Sequence, residues 1–369
     1  MRSRRDLREF IELPFRLHSS SPQWVPPLRL ERRLFHSRRM NAYFKHAGAQ
    51  EFVARTTAPP TRVVGRVSAQ IDGAYDAQHG PGTGMFGFLE LEDDPEVMTA
   101  LLGAARGWLG ERGREHMIGP MDYTMNDECG VLIEGFEREP MIKQSWHPPY
   151  YQRRCEQAGL EKAIDLYMWE ADISDRERIR PVIFELAERS EQKHGIELRK
   201  MKRRQLRKEI EVFGEVYNAA WRDNWGFVPY SPSDLRHYAD ELQLCFDRNW
   251  FMLAQKDGET IGIAITVPDV NQVLKLMNGR LLPLGWWRFL RKATIIDRVR
   301  VGFLGVKPEY QHTGTAARFY VELFDMGNVT PQKWGEMGWI LETNRAMNRG
   351  MEAMGGRIVK RFRVYEARF

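Results

Sequence analysis

The stretch VRVGFLGVKPEYQHTGTAARFYVELF, residues 299–324, decides the reading of this chain. Its first eight residues are an apolar, β-prone run. Lys307-Pro308-Glu309 breaks that run, and Gln311-x-x-Gly314-x-Ala316 then makes a small-residue turn. From Thr315 the apolar spacing changes to that of a helix, TAARFYVELFDMG (315–327). Strand, turn and helix start in this order present several backbone N–H groups at one point, with about half a positive charge from the helix dipole behind them. Such a turn is an anion site, and the ligand implied is a phosphate or pyrophosphate.

The segments around this stretch repeat one grammar. Upstream, RERIRPVIFELAERSEQKHG (176–195) reads as a helix, and the basic run RKMKRRQLRK (199–208) leads into a second helix ending near Trp221. NWFMLAQKDGETIGIAITVPD (249–269) reads as a hairpin turning at Asp257-Gly258. Downstream come a strand at 336–344, a helix stopped by glycines near 355 and a closing strand at 357–369. The first half shows the same order: strands at 51–55, 61–72 and 84–92, a helix at 95–113, and a helix and strand at 147–160 and 163–172. Residues 1–50 mix Pro, Arg and aromatics, and the WVPPL segment (24–28) disfavours regular helix there, so they read as an ordered arm. The predicted fold class is therefore α/β (α+β, mixed sheet). It consists of two tandem domains, each a mostly antiparallel mixed sheet flanked by helices, at 51–164 and 165–369, with the arm 1–50 packed on the first.

Composition sets the outer limits. A chain of 369 residues, 43% hydrophobic and 28% charged, is that of a globular protein of about two domains. The longest apolar runs fall well short of the roughly 18 residues a membrane span requires. The charged N-terminus, MRSRRDLREF, does not read as a secretory signal. Three widely spaced cysteines, Cys129, Cys155 and Cys245, fit neither a disulfide framework nor a zinc site. A cytoplasmic location, no metal and no membrane partner are expected. The formal charge of +5 is unevenly spread: residues 1–66 carry 14 basic and 5 acidic side chains, residues 67–165 carry 8 and 18, and the remainder 33 and 27. The run 199–208 holds seven basic residues and no acid, but it has no aromatic on which a base could stack, so nucleic acid is not the expected partner.

Residues 311–316, in this setting, resemble the acyl-CoA loop of the GNAT superfamily of N-acyltransferases, Gln/Arg-x-x-Gly-x-Gly/Ala between a strand and a helix. A second match follows it. The family's next strand ends in Asn, with Tyr seven positions on and Gly eleven on; here Asn344 and Gly355 fit, and the tyrosine position holds Met351. The resemblance covers roughly 165–369. The first half resembles a degenerate copy, with His147 at the Asn position and acids where the glycine loop would be. The whole chain is also similar to a group of bacterial tandem proteins with WVPPL, GP…ND…G and NWGF segments.

The resemblance implies direct attack of a primary amine, on a small-molecule or amino-acid-like acceptor, on an acyl-CoA thioester, with acetyl as the expected acyl group. The backbone of Leu304 and Val306 would hold the acyl-pantetheine. Gln311, His312, Thr313, Gly314, Thr315 and Ala316 would hold the pyrophosphate, and Asn344 would complete the cofactor set. The amine must lose a proton before attack. Asp269, Glu342 and Tyr365, with Glu336, are the candidate acids and bases at strand ends. Met351 leaves the family's usual acid without a counterpart. Trp221, Asn224, Trp225 and Phe227 stand where the family binds acceptors. Two other readings remain: transfer from an acyl carrier protein or aminoacyl-tRNA docked on 199–208, and a non-catalytic CoA-binding protein. No HExxH, Walker or GxSxG pattern competes with these.

Overall fold

A computed structural model describes residues 3–172 and 176–369. Its contacts divide the chain into two units. The first comprises Met1–Leu166, Val273–Leu290 and Lys360–Phe369; the second comprises Tyr167–Gln272 and Arg291–Val359. The sequence pattern places a single cut at 164/165. The additional crossings place 273–290 and the C-terminal ten residues with the first half.

In the first unit, α1 (Arg4–Leu17) starts at a capping box between Ser3 and Asp6 and carries Pro14 near its end. It buries Phe10, Ile11 and Leu13. The arm thus contains a helix that the proline-rich reading passed over, because the extended geometry at 24–28 was carried back onto residues before it. After α2 (Arg29–Phe35), β1 (Ala47–Arg55) and β2 (Val63–Asp72) pair antiparallel, with Arg55 opposite Val63. Next come α3 (Gly73–His79), β3 (Thr83–Leu91), α4 (Pro95–Gly110), β4 (His116–Gly119), β5 (Val131–Glu134) and α5 (Tyr150–Gln157). Val97, Met98, Leu101, Leu102, Ala105 and Leu109 recur at helical spacing along α4 and fill the core over this sheet. Strand β6 (Glu161–Asp172) crosses the division at Leu166/Tyr167.

The second unit begins with the latter half of β6. It continues through α6 (Pro181–Gln192), β7 (Glu197–Lys200), α7 (Leu206–Ala220), α8 (Pro232–Cys245), β8 (Phe251–Lys256) and β9 (Glu259–Pro268). The β8–β9 turn holds Asp257 and Gly258 at φ of 49° and 85°, the left-handed pair that a two-residue hairpin requires. Helices α9 (Asn271–Met277) and α10 (Gly285–Leu290) lie mostly in the first unit. The chain then returns through α11 (Lys292–Ile295), β10 (Arg298–Val306), α12 (Thr315–Val329), β11 (Trp334–Leu341) and α13 (Arg345–Ala353). Strand β12 (Arg357–Arg368) passes back into the first unit at Lys360, where it pairs antiparallel with β4 and β5. The second unit's sheet runs β6-β11-β10-β9-β8-β7, antiparallel from β10 to β7 and parallel between β10 and β11.

Candidate functional site

The parallel pair β10/β11 is short. Arg298 to Val301 match Trp334 to Met337, and the pairing ends there. On its other side β10 stays paired with β9 as far as Val306, but the register slips between Val301 and Phe303. This bulge turns β10 away from β11. The edge of residues 303–306 that faces away from β9 therefore has no strand partner among the described residues. An extended polar chain could complete that edge by backbone hydrogen bonds.

Each face of the diverging strand has its own cover. A Cβ on Gly262, the register partner of Val306, would lie 3.1 Å from the Phe319 ring, so α12 packs on that face. A Cβ on Gly305 would lie 2.2 Å from the Trp221 ring, so the end of α7 packs on the other. There Trp221 stacks on Tyr217, with ring centroids 5.0 Å apart, and Phe303 meets Phe213, Tyr217 and Tyr238 at 5.1–5.9 Å. Trp221 thus belongs to a half-buried aromatic wall beneath the free strand edge. Phe227 joins the same cluster through Tyr217, while Asn224 and Trp225 lie partly exposed beside it.

At the top of β10, Pro308–Thr313 forms a 3-10 turn, Gly314 takes a left-handed conformation (φ 80°), and α12 starts with no side-chain cap. The first amides of α12 are therefore left for an outside acceptor. The individual side chains divide differently from the expectation. Gln311 and His312 are exposed, and the Gln311 amide donates to the Val306 carbonyl at 3.3 Å, which pins the turn. Thr313 and Thr315 are buried; their hydroxyls share a hydrogen bond of 2.7 Å, and Thr313 also donates to the Tyr310 carbonyl. Gly314 requires correction. A Cβ there would meet the Leu186 carbonyl oxygen of α6 at 2.4 Å. The missing side chain thus makes room for the α6 backbone, and what Gly314 could offer an anion is its amide alone. Ala316 and the surrounding main chain remain for an anion.

The first unit shows the opposite arrangement at its corresponding turn. Asp94 caps α4 by accepting from the Glu96 amide at 2.8 Å, Pro95 has no N–H to offer, and Asp93 binds Arg153 and Arg154. The Glu96 amide is thus satisfied internally, and the turn carries the carboxylates of Asp93, Asp94 and Glu96. His147 is buried and accepts from the Leu132 amide, and burial lowers its imidazole to about 4. This unit also holds a cavity of about 380 Å³ with His18, Trp24, Arg29 and Arg280 in its wall. Behind it His18 meets Glu90 at 2.7 Å. Burial alone would raise the Glu90 carboxyl, but His18 and Arg66 outweigh it and bring the group down to about 2.

The proposed acids and bases are mostly committed elsewhere. Asp269 is fully buried, accepts from Arg298 Nε at 2.6 Å and receives the Asn271 amide at 3.2 Å, so it anchors a structural ion pair. Tyr365 lies in the first unit's core, opposite Gly119 on β4, with its hydroxyl 3.4 Å from Glu156. It therefore belongs to the first unit, whereas β10 belongs to the second. Its misplacement follows from β12 changing units, which no local pattern announces. Asn344 caps α13 by accepting from the Met347 amide at 3.1 Å. Glu336 is buried beside its register partner Arg300, while Glu342 is half-buried where β11 ends. Met351 is fully buried.

One group was overlooked. Tyr320 on α12 is nearly buried and donates to the Met347 thioether of α13 at 3.3 Å, and a Cβ on Gly350 would lie 3.0 Å from its hydroxyl. Burial pushes its phenol up, which keeps it protonated at neutral pH. It adjoins Phe319 in α12, whose ring packs over Gly262, the register partner of Val306, while its own hydroxyl is directed to α13. Within the sequence it is indistinguishable from another apolar contact of an amphipathic helix.

No family model matches the chain. It is 34% identical over 371 residues to the bacterial ceramide synthase of Caulobacter vibrioides (strain NA1000 / CB15N), covering 98% of this chain and 94% of that protein. It is 32% identical over 370 residues to protein YghO of Escherichia coli (strain K12), covering 99% and 93%. Among solved structures, a tandem GNAT protein from the clavulanic acid biosynthesis pathway matches with a TM-score of 0.57 at 12% identity, covering 100% of this chain and 96% of that one. The glucosamine N-acetyltransferase region of a fungal multi-domain β-N-acetylglucosaminidase matches with a TM-score of 0.59 at 13% identity, covering 100% of this chain and 37% of that one. The fold is the tandem GNAT fold. Among the described residues no group of side chains could hold a metal ion, and no helix is long and apolar enough to cross a membrane.

Proposed function

The chain belongs to the family of the Caulobacter bacterial ceramide synthase and YghO, and from that premise we propose that it is an N-acyltransferase for a long-chain amine. A ceramide is the amide of a fatty acid with a long-chain amino alcohol. The reaction proposed is transfer of a long acyl group from its CoA thioester to the primary amine of such an amino alcohol. This refines the acetyl group and small acceptor expected from sequence alone. The observation that carries it is the free edge of β10, set between uncapped α12 amides and an aromatic wall, in a chain resembling a ceramide synthase from end to end.

The thioester supplies an activated acyl carbon: the amine nitrogen bonds to it, the carbon–sulfur bond breaks, the ammonium proton leaves and the thiolate is protonated. The amides of Gly314 to Ala316 would grip the diphosphate. The backbone of Leu304–Val306 would align the pantetheine and offer an N–H to the carbonyl oxygen. The rings of Trp221, Tyr217 and Phe303 offer an apolar surface to an alkyl chain. Tyr320 would protonate the thiolate, since a thioether is a weak acceptor from which its O–H can be redirected.

Two measurements test this. With purified protein, palmitoyl-CoA and sphinganine are expected to give amide and free thiol in equal amounts, while acetyl-CoA with short amines turns over slowly; absence of any thiol release across both panels would reject the transferase. Tyr320→Phe is expected to lower kcat roughly 10²-fold with little change in donor KM. An unchanged kcat would remove Tyr320 from the mechanism. A carrier-protein donor is the second reading. Arg199 and Lys200 in the basic run are neutralised by Glu209 and Glu322, but Lys202, Arg203, Arg204 and Lys208 are exposed with no carboxylate within ion-pair distance among the described residues. Steeper loss of activity with salt for acyl carrier protein than for acyl-CoA would favour it.

A further inference from the structure

Residues 273–290 of the first unit carry an apolar surface that is left exposed among the described residues. Leu282, Leu284 and Leu290 are 71, 69 and 66% exposed, and Trp286 and Trp287 are 46 and 53% exposed. Exposed large apolar side chains in one short segment mark a contact surface rather than ordinary surface scatter. The surface continues onto α2. The Arg29 amide donates to the Gly279 carbonyl at 3.3 Å, and Leu30 and Leu34, one turn apart on that helix, are 54 and 47% exposed.

Charge identifies the partner. Between Val270 and Ile296 the sequence has five basic residues, Lys275, Arg280, Arg288, Arg291 and Lys292, and no acid. Arg280 and Arg288 have no carboxylate within ion-pair distance among the described residues. The cations are interleaved with the leucines and tryptophans along the whole segment. A protein–protein interface concentrates apolar residues in a core and keeps charge at its rim. Leucine and tryptophan set among arginines and lysines is instead the composition that seats in a bilayer interface, with rings and alkyl chains at the acyl boundary and cations at the phosphates. Arg280 and Asn278 also wall the first unit's cavity, where Lys275 pairs with Glu139 and Arg29 with Glu12, so Arg280 is the cation there that a phosphate would meet.

We propose that the face formed by residues 276–290, extended by Leu30 and Leu34, docks the protein on an anionic lipid bilayer surface. The expectation of no membrane partner rests on the lack of a spanning segment in the sequence, and the docking face spans nothing. The inference stands on this surface alone and does not depend on the acyl-transfer reading.

The test is co-sedimentation of the full chain with vesicles of phosphatidylethanolamine and phosphatidylglycerol, compared with phosphatidylcholine. Wild type is expected to partition at least tenfold more strongly onto the anionic vesicles, with a blue shift of tryptophan emission. Trp286→Ser/Trp287→Ser and, separately, Arg280→Glu/Arg288→Glu are expected to lower that partitioning about tenfold or more, with unchanged circular dichroism and Tm. Thiol release from a water-soluble amine and acyl-CoA should be unaffected in both variants, so a failed transferase assay and a failed docking assay remain distinct. Wild-type protein that stays in solution with anionic vesicles overturns the proposal. So does binding that neither double variant weakens, or self-association in the absence of lipid that the same substitutions abolish.

Discussion

Ala316→Glu is expected to remove acyl-CoA binding while leaving the fold intact. Ala316 occupies the second position of α12, is half-buried and lies two residues after Gly314, which supplies no side-chain cap. A carboxylate in the first turn of a helix interacts favourably with its dipole, so thermal stability should hold or rise slightly. The same carboxylate would lie beside any diphosphate gripped by these amides. At about 4 Å and an effective dielectric of 20, one such pair of like charges is unfavourable by about 4 kcal/mol, roughly a thousandfold in affinity. The first unit already illustrates that such a turn folds when acidic, since Asp94 and Glu96 open α4. Calorimetric titration with acyl-CoA, paired with a thermal melt, gives both quantities. An undiminished affinity for the donor would mean that the diphosphate binds elsewhere, and the transferase reading would lose its anchor. Gly314 is a poor site for this experiment. Any side chain there strains a left-handed residue and strikes the Leu186 carbonyl, so folding and binding would fail together.

Asp269→Ala is expected to act on stability instead of chemistry. Removing the carboxylate leaves the Arg298 guanidinium, itself 8% exposed, buried without its 2.6 Å partner. Breaking a buried pair from one side typically costs 3–5 kcal/mol, about 10 °C in Tm for a unit of this size. Replacing both members, Asp269→Leu with Arg298→Met, should recover much of the loss, because no buried charge is then left over. Turnover per folded molecule is expected to stay within a few-fold of wild type in both variants. If Asp269 were the base, Asp269→Asn would abolish turnover while Tm barely moved. That outcome would restore the assignment made from sequence.

The contrast between these two residues measures how far the sequence could be read. The strand–turn–helix of 299–324 was legible because β-prone residues, a proline, a glycine and a helical period follow one another within a few residues, and each acts on its own backbone. The β8–β9 hairpin was legible for the same reason: Asp257 and Gly258 tolerate positive φ without help from elsewhere. The helix α1 was lost to Pro14 and to the WVPPL segment, although the Ser3–Asp6 box could have disclosed it. Residues 271–296 carry no clear period, and their exposed leucines and tryptophans cannot be told from core by type.

By itself the sequence determined the strand–turn–helix of 299–324, the β8–β9 hairpin, the tandem organisation and the acidic character of the first turn. Those properties reside in local backbone preference and in the charge of adjacent residues. Only the tertiary structure decided that Gly314 yields to Leu186, that Asp269 is held by Arg298, that Tyr365 serves the first unit and that Tyr320 faces α13. Each of these depends on a group distant in the chain, and burial with its partners is settled by where the chain returns.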